Sequence, residues 1–375
     1  MKNPLIAALI GITIGGVGFG LLTPVTVILL EQSGAPSWIT GSSTTLGYLA
    51  VVLASPFTGR LIDRFGVKFI LNSGMIIWLI GSLGHIFWYN YYVLFPIRLI
   101  TGFGATFIFI ATEVIINRCS NENNRGHNIG LYAVLLSIGI AAGTLLIFTV
   151  EYGDWVPFVI GSSIMLLALF FMIYFLQVTD EAVFDSIKII KMKFKEMPFL
   201  SLASAGLYGI FESAIIVVLP LYGLRNGFNQ IEVSYFLTSF VIGGIVLLYF
   251  LSKLSDLYSS AKLLLIISLL LGIFMLIPTL SLSLTFLIIV FFIIGGFVPA
   301  YYTIGLNFTV QSIEKKHIAQ ANSFFIMMYG LGTLIGPIIG SMIVEISKRY
   351  GFWIISAALC FSFFLIVLRK YLPNK

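Results

Sequence analysis

Two carboxyls and one guanidinium lie inside long apolar runs of this chain: Glu212, Glu113 and Arg98. The remaining acids fall in loops or at the ends of those runs. An ionisable group at bilayer depth costs about 2.5–3.5 kcal/mol on insertion scales, so each of the three is a candidate for function. Glu212 lies about halfway along its run, with Tyr208 one turn earlier on the same face and Pro220 two turns later. Low dielectric disfavours the charged form of a carboxyl, so a lone one there can bind and release a proton near neutral pH. Proton coupling needs such a group; the competing role is interhelical packing through hydrogen bonds. Arg98, Gly102, Thr106, Glu113 and Asn117 drift along one side of a single segment. Arg98 and Glu113 are about 22 Å apart at 1.5 Å per residue and cannot pair directly. Arg98 either takes part in proton transfer or snorkels outward. Glu113 either faces a cytoplasmic gate or is structural.

For solute contact, Thr303, Asn307 and Gln311 form one polar stripe at i, i+4 and i+8, with Tyr301 and Tyr302 beside its start. Thr13, Gly16, Gly20 and Thr23 make a small-residue face ahead of Pro24. Such stripes serve either interhelical hydrogen bonds or cavity lining. Apart from Glu212 the expected cavity is aromatic and uncharged, which suits a small amphipathic or lipophilic solute. His85, His127 and His317 stand at the ends of different runs, and the cysteines are Cys119 and Cys360 alone. Neither a metal site, a nucleophile cluster nor a disulfide framework is expected, and no cofactor. There is no G-x-x-x-x-G-K-[ST] phosphate loop, so any driving force is expected from an ion gradient, with protons first. An enzyme is disfavoured. A transporter-like sensor that binds without moving its ligand stays open.

The elements that hold these residues must dissolve in lipid. Hydrophobic residues make up 59% of the 375 and charged residues 10%, with a mean hydropathy of +1.06; about a quarter of a soluble domain is charged. The net charge of +6 is scattered singly and in pairs, which offers no nucleic-acid surface. A span needs about 20 apolar residues. Cutting at charged and turn-rich points predicts twelve, near 4–30, 37–60, 67–88, 90–117, 127–150, 154–177, 197–223, 229–252, 261–280, 282–310, 317–344 and 349–370. With both termini in the cytoplasm, every one of the 21 lysines and arginines except Arg98, Arg225, Lys348 and Arg349 falls on the inner side, as the positive-inside rule requires. The apolar start runs past Gly20 without an A-x-A site and is read as the first span. Residues 178–196 place Ile187, Ile190, Phe194 and Met197 at helical spacing, with Lys188, Lys191 and Lys195 on another face. This predicts an amphipathic cytoplasmic linker between bundles 1–177 and 197–375.

One offset relates the two bundles. Asp63, Gly139 and Gly143 become Asp256, Gly332 and Gly336 on adding 193. Between spans two and three, Gly59, Arg60, Asp63, Arg64, Gly66 and Lys68 read as a tight helix–helix turn. This G-x-x-x-D-R-x-G-x-K pattern resembles the signature loop of the major facilitator superfamily of secondary transporters. Arg98-x-x-x-Gly102 resembles that family's R-x-x-x-G motif, and Gly332-x-x-x-Gly336-Pro337 with Gly340 resembles its glycine–proline helix seams. Drug–proton antiporters carry a proline where span five has Thr144 after Gly143. The stretches from Arg98 to Glu113, Arg125-Gly126, Gly130-Leu131-Tyr132 and Leu219-Pro220-Leu221-Tyr222 look like a bacterial drug or metabolite efflux subgroup. The resemblance implies an all-α membrane protein of twelve transmembrane helices in two pseudo-symmetric six-helix bundles. It implies alternating access, a multi-pass monomer in a bacterial plasma membrane, and a small-molecule substrate. Proton-coupled export is the first expectation, with symport uptake and uniport as the alternatives.

Overall fold

The computed structural model describes residues 4–121, 124–176, 193–314 and 317–371. Where no water reaches the backbone, an apolar run satisfies its own N–H and C=O groups by coiling. The described residues are accordingly helical almost throughout, with no strand among them. They fall into two compact units, Met1–Phe184 and Asp185–Lys375. The first holds α1 (Pro4–Gln32), α2 (Ser37–Phe65), α3 (Val67–Gly84), α4 (Tyr91–Arg118), α5 (Arg125–Leu145) and α6 (Val156–Phe175). The second holds α7 (Phe199–Arg225), α8 (Gln230–Leu257), α9 (Ser260–Leu276), α10 (Leu284–Phe297), α11 (Ala300–Ser312), α12 (Ile318–Ile346) and α13 (Gly351–Tyr371). The amphipathic segment expected over 178–196 lies outside the described residues except at its end. There Phe194–Glu196 forms one 3₁₀ turn, closed by the Glu196 N–H on the Lys193 carbonyl at 2.9 Å.

Twelve spans among the described residues are long and apolar enough to cross a membrane. The tenth, Leu284–Ser312, is interrupted where α10 ends and Pro299 introduces α11, because proline has no N–H to carry the helical ladder on. Exposed side chains such as Phe57, Ile80, Leu167 and Ile289 give the units an apolar outer surface, as a lipid-facing helix needs. Several buried hydroxyls are satisfied within their own helices. Thr26 donates to the Leu22 carbonyl at 2.8 Å, Thr106 to Gly102 at 2.8 Å and Thr309 to Gly305 at 2.9 Å.

Each unit is held by the same two glycine seams. In the first, α1 packs on α5, and a side chain at Gly16 would strike the Leu136 carbonyl and the Gly139 backbone, while one at Gly143 would strike the Val17 carbonyl. In the second, α7 packs on α12, with Gly209 against the Tyr329 carbonyl and Gly332, and Gly336 against the Ile210 carbonyl and Ser213. Gly340, beyond Pro337, lies against Ala214 and Val218. Gly16 and Gly209 are related by the offset of 193 that relates Gly139 to Gly332. The second seam repeats as well: Gly102 of α4 meets the Gly47 carbonyl of α2, and Gly295 of α10 meets the Phe240 carbonyl of α8, again 193 apart.

The turn expected over residues 59–68 is much shorter than the sequence implies. α2 continues through Gly59, Arg60, Asp63 and Arg64 to Phe65, and α3 resumes at Val67. Only Gly66 intervenes, at φ 86°, its N–H on the Ile62 carbonyl at 2.8 Å. A single residue with positive φ reverses the chain, and glycine takes that conformation without steric cost. Gly59 therefore does not end the helix, and a side chain there meets no described atom within 4 Å. Arg60, Asp63 and Arg64 stand exposed on the last turns of α2, Arg64 over the Phe65 ring at 5.1 Å. Lys68 reaches across the first unit and donates to the carbonyls of Leu176 at 2.7 Å and Ile173 at 3.2 Å. It caps the end of α6, where carbonyls lack helical partners and the helix dipole favours a cation.

The seams give a direct test. Gly332→Leu should lower the thermal midpoint of detergent-purified protein, at the roughly 1–3 kcal/mol cost of overpacking. Gly59→Ala should leave it nearly unchanged.

Candidate functional site

In the second unit two tyrosine hydroxyls meet at Glu212. α7 carries Tyr208 and Glu212 one turn apart on one face. Gly209, next to Tyr208, lets α12 come to backbone contact at the Tyr329 carbonyl. That approach sets Tyr329 against Glu212, and its hydroxyl donates to Oε2 at 2.7 Å. The Tyr208 hydroxyl is a second hydrogen-bond partner of the same carboxyl. Among the described residues no basic side chain is one of the groups acting on Glu212.

Three tyrosine rings form one cluster that includes both hydrogen-bond donors. Tyr208 and Tyr329 stack with centroids 5.2 Å apart and planes 19° from parallel. Tyr302, two residues into α11 after the Pro299 break, lies 5.3 Å from Tyr208 and 5.6 Å from Tyr329, steeply inclined to the latter. Phe325, fully buried one turn before Tyr329, meets Tyr302 edge to face at 5.1 Å and belongs to a core with Met197, Ala205 and Ala321. Glu212, Tyr208, Tyr302 and Tyr329 are all half-buried. The cluster is thus a wall anchored in the core on one side and accessible on the other.

The other candidates of span ten are placed differently. Tyr301 is fully buried against Phe211 and Phe363. The half-buried Thr303 turns its hydroxyl back to the Pro299 carbonyl at 3.4 Å. Asn307 is half-buried, and the exposed Gln311 accepts from Ser260 at 3.2 Å. Of the stripe and the tyrosine pair, then, Tyr302 is the residue brought to the rings of Tyr208 and Tyr329.

In the first unit Arg98 is 3% exposed. Its Nη1 donates to Thr23 of α1 at 3.3 Å, and Nε and Nη2 have no hydrogen-bond partner among the described residues. Tyr48 of α2 and the buried His85, whose Nδ1 lies 2.8 Å from the Gly81 carbonyl, are within its electrostatic reach. Glu113 is exposed on α4, its backbone carbonyl accepting from Asn117 at 2.9 Å, and Tyr132 of α5 lies within its reach. Arg98 and Glu113 are not brought together. No group of three or more His, Cys, Asp or Glu suited to a metal occurs among the described residues.

Tyr329 is the residue that reading the sequence missed. Its cue was its place three residues before Gly332, and that cue becomes legible only when Gly332 is paired with Gly209.

The arrangement can exchange a proton at a carboxyl and hold a solute on aromatic faces. Residues 8–201 and 201–375 each match the sequence profile of the Major Facilitator Superfamily. The chain is 28% identical to YfkF, an uncharacterised MFS-type transporter of Bacillus subtilis, over 96% of its own length and 93% of that protein. It is 22% identical to YcaD, an uncharacterised MFS-type transporter of Salmonella paratyphi A, over 98% of its length and 96% of that protein. The fold matches the crystal structure of the nucleoside transporter NupG with a TM-score of 0.79, at 15% identity over the whole of both chains. It matches a bacterial homologue of the human lysosomal transporter Spinster at 0.77, with 15% identity over 99% and 97% of the two chains. At such identities the solved structures speak for the fold alone. Two profile matches that together run from residue 8 to the last residue, one to each six-span repeat, carry the assignment: the chain belongs to the Major Facilitator Superfamily and is a multi-pass membrane transporter of the secondary class.

Proposed function

We propose that this transporter exports a small amphipathic or lipophilic solute in exchange for protons, with Glu212 as the proton carrier. One observation carries the reading. Glu212 is a mid-span carboxyl held by two tyrosine hydroxyls, with no basic side chain among the described groups acting on it. A carboxylate paired with a cation has its charge fixed, whereas one held by neutral donors changes charge by taking a proton. The proton role is assigned to Glu212 rather than to Arg98, since a guanidinium keeps its proton, or to Glu113, which is exposed beside Asn117. The aromatic wall supports an amphipathic or lipophilic solute, and the efflux-like stretches of spans four and seven support export. Thr144 of α5, where antiporters of the family carry proline, favours a second reading of symport or uniport; its hydroxyl stays in its own helix, on the Ala141 carbonyl at 2.8 Å. The lysine and arginine distribution supports cytoplasmic termini in a bacterial plasma membrane.

Everted membrane vesicles energised with NADH, with acridine orange reporting the pH gradient, test the coupling. Antiport substrates from an amphipathic panel should draw protons out of wild-type vesicles, and Glu212→Gln should abolish that release while its thermal midpoint stays within a few degrees. Equal proton release from the variant would remove Glu212 from the coupling. A solute that moves without proton release would select the uniport reading. Orientation is tested separately with a membrane-impermeant maleimide on spheroplasts. In a Cys119→Ser, Cys360→Ser background, Lys348→Cys should label in intact cells, whereas Cys119 of the Cys360→Ser protein should label only after permeabilisation.

A further inference from the structure

We infer that the wall around Glu212 is a binding site for an organic monocation, and that the cation and the proton exclude each other there. The proposal rests on the reading of Glu212 as proton carrier for its exchange part, and on the geometry of the wall for its binding part. Aromatic faces carry negative potential and attract cations within about 6 Å of the ring centroid. Tyr208, Tyr302 and Tyr329 stand with centroids 5.2–5.6 Å from one another, and the hydroxyls of Tyr208 and Tyr329 hold a single carboxyl. All four side chains are half-buried, so each has surface left for a ligand. The tyrosine hydroxyls occupy two of the roughly four lone-pair sites of the carboxylate, which leaves it able to accept from, or lie beside, a cationic headgroup.

The identity of the cation follows from what surrounds it. A hard metal cation takes six or more oxygen ligands, and the wall offers one carboxyl, phenol hydroxyls and ring faces. A weakly hydrated, delocalised or alkylated nitrogen or phosphorus centre matches that composition, and one carboxylate balances one positive charge. Among the described residues, the neighbouring helices supply no charged group that acts on Glu212. α12 contributes Tyr329 and α11 contributes Tyr302, while from α8 and α13, which also pack on α7, no charged side chain is among the groups acting on Glu212. The first unit sharpens the point. Subtracting 193 from Glu212 and Tyr302 gives Phe19 and Phe109, whose rings lie against each other at 4.8 Å. The same frame is plain apolar packing in one repeat and a charged aromatic wall in the other. In the charge-neutral wall, Glu212 is either protonated or neutralised by the bound cation. Releasing one to take the other is an exchange.

Equilibrium dialysis of the full-length protein in detergent tests this with two ions of nearly equal size and opposite charge, tetraphenylphosphonium and tetraphenylborate. Tetraphenylphosphonium should bind at pH 8, and tetraphenylborate should neither bind at this site nor compete. Glu212→Gln and Tyr302→Ala should each weaken binding about tenfold or more, whereas Tyr302→Phe, which keeps the ring, should stay within about threefold. Melting curves of each variant separate misfolding from loss of the site, and the Tyr302→Phe protein keeps the test decisive if Tyr302→Ala fails to fold. Lowering the pH to 6 should weaken binding to the wild type and leave Glu212→Gln unaffected. Absence of tetraphenylphosphonium binding, equal binding of the anion, or affinity indifferent to both Glu212→Gln and Tyr302→Ala would overturn the cation site. Binding that depends on Glu212 and Tyr302 but not on pH would uphold the cation site and overturn the proton role alone.

Discussion

Backbone contact between α7 and α12 is the constraint on which the rest of the second unit depends. The 2.7 Å hydrogen bond from Tyr329 to Glu212 spans two helices that run closer than ordinary side chains allow. Gly209, Gly332 and Gly336 permit that approach by placing nothing between the two backbones. In lipid, where there is no hydrophobic force between helices, such packing and the hydrogen bonds it permits are the main sources of association. The seam and the site are therefore one object. The glycines that hold the helices together also fix where Tyr329 sits relative to the half-buried Glu212, and a substitution that separates the backbones would move one of its two donors.

The two repeats carry different side chains on a common frame. Both keep the seam of span one on span five or span seven on span eleven, and both keep the second seam at Gly102 or Gly295. What differs is what the seam presents. Phe19, Phe109 and Trp78 fill the first unit with contacting rings, a self-sufficient apolar solution. Glu212 and Tyr302 at the corresponding positions cannot be satisfied by packing alone, and they draw in Tyr208 and Tyr329. A polar cluster of this kind costs desolvation and is stable only when its donors and acceptors are matched, which accounts for its concentration at one point of the chain.

Much of this architecture was legible in the residues, and the misses have physical causes. Hydropathy gives the spans because lipid leaves an apolar run no conformation but the helix, and the 193-residue offset gives the duplication because the closest backbone contacts recur at glycines in both units. The turn between α2 and α3 was overestimated because charge and glycine were read as loop signals. A span's charged end remains helical when its side chains can reach a polar environment, and only Gly66, with its positive φ, breaks the run. The capping of α6 by Lys68 joins residues more than a hundred positions apart, and no local spacing reports it. Pro299 was present in the sequence, but its effect, starting a fresh helix that carries Tyr302 toward Tyr208 and buries Tyr301, depends on the partners of that helix.

Glu212 and Arg98 illustrate two ways of keeping charge out of water, and the contrast bears on their roles. The guanidinium cannot shed its charge, so its burial at 3% exposure is a standing cost, offset by the Thr23 hydroxyl and with two nitrogens lacking a partner among the described residues. A fixed charge of this kind shapes the field around His85 and Tyr48 at all physiological pH. A carboxyl escapes the same cost by protonation, and the tyrosines around Glu212 serve either state: a hydroxyl donates to a carboxylate and can accept from a carboxylic acid. The environment of Glu212 is thus compatible with both of its charge states, whereas that of Arg98 holds only one. A transport cycle that loads and unloads a proton needs a site of the first kind.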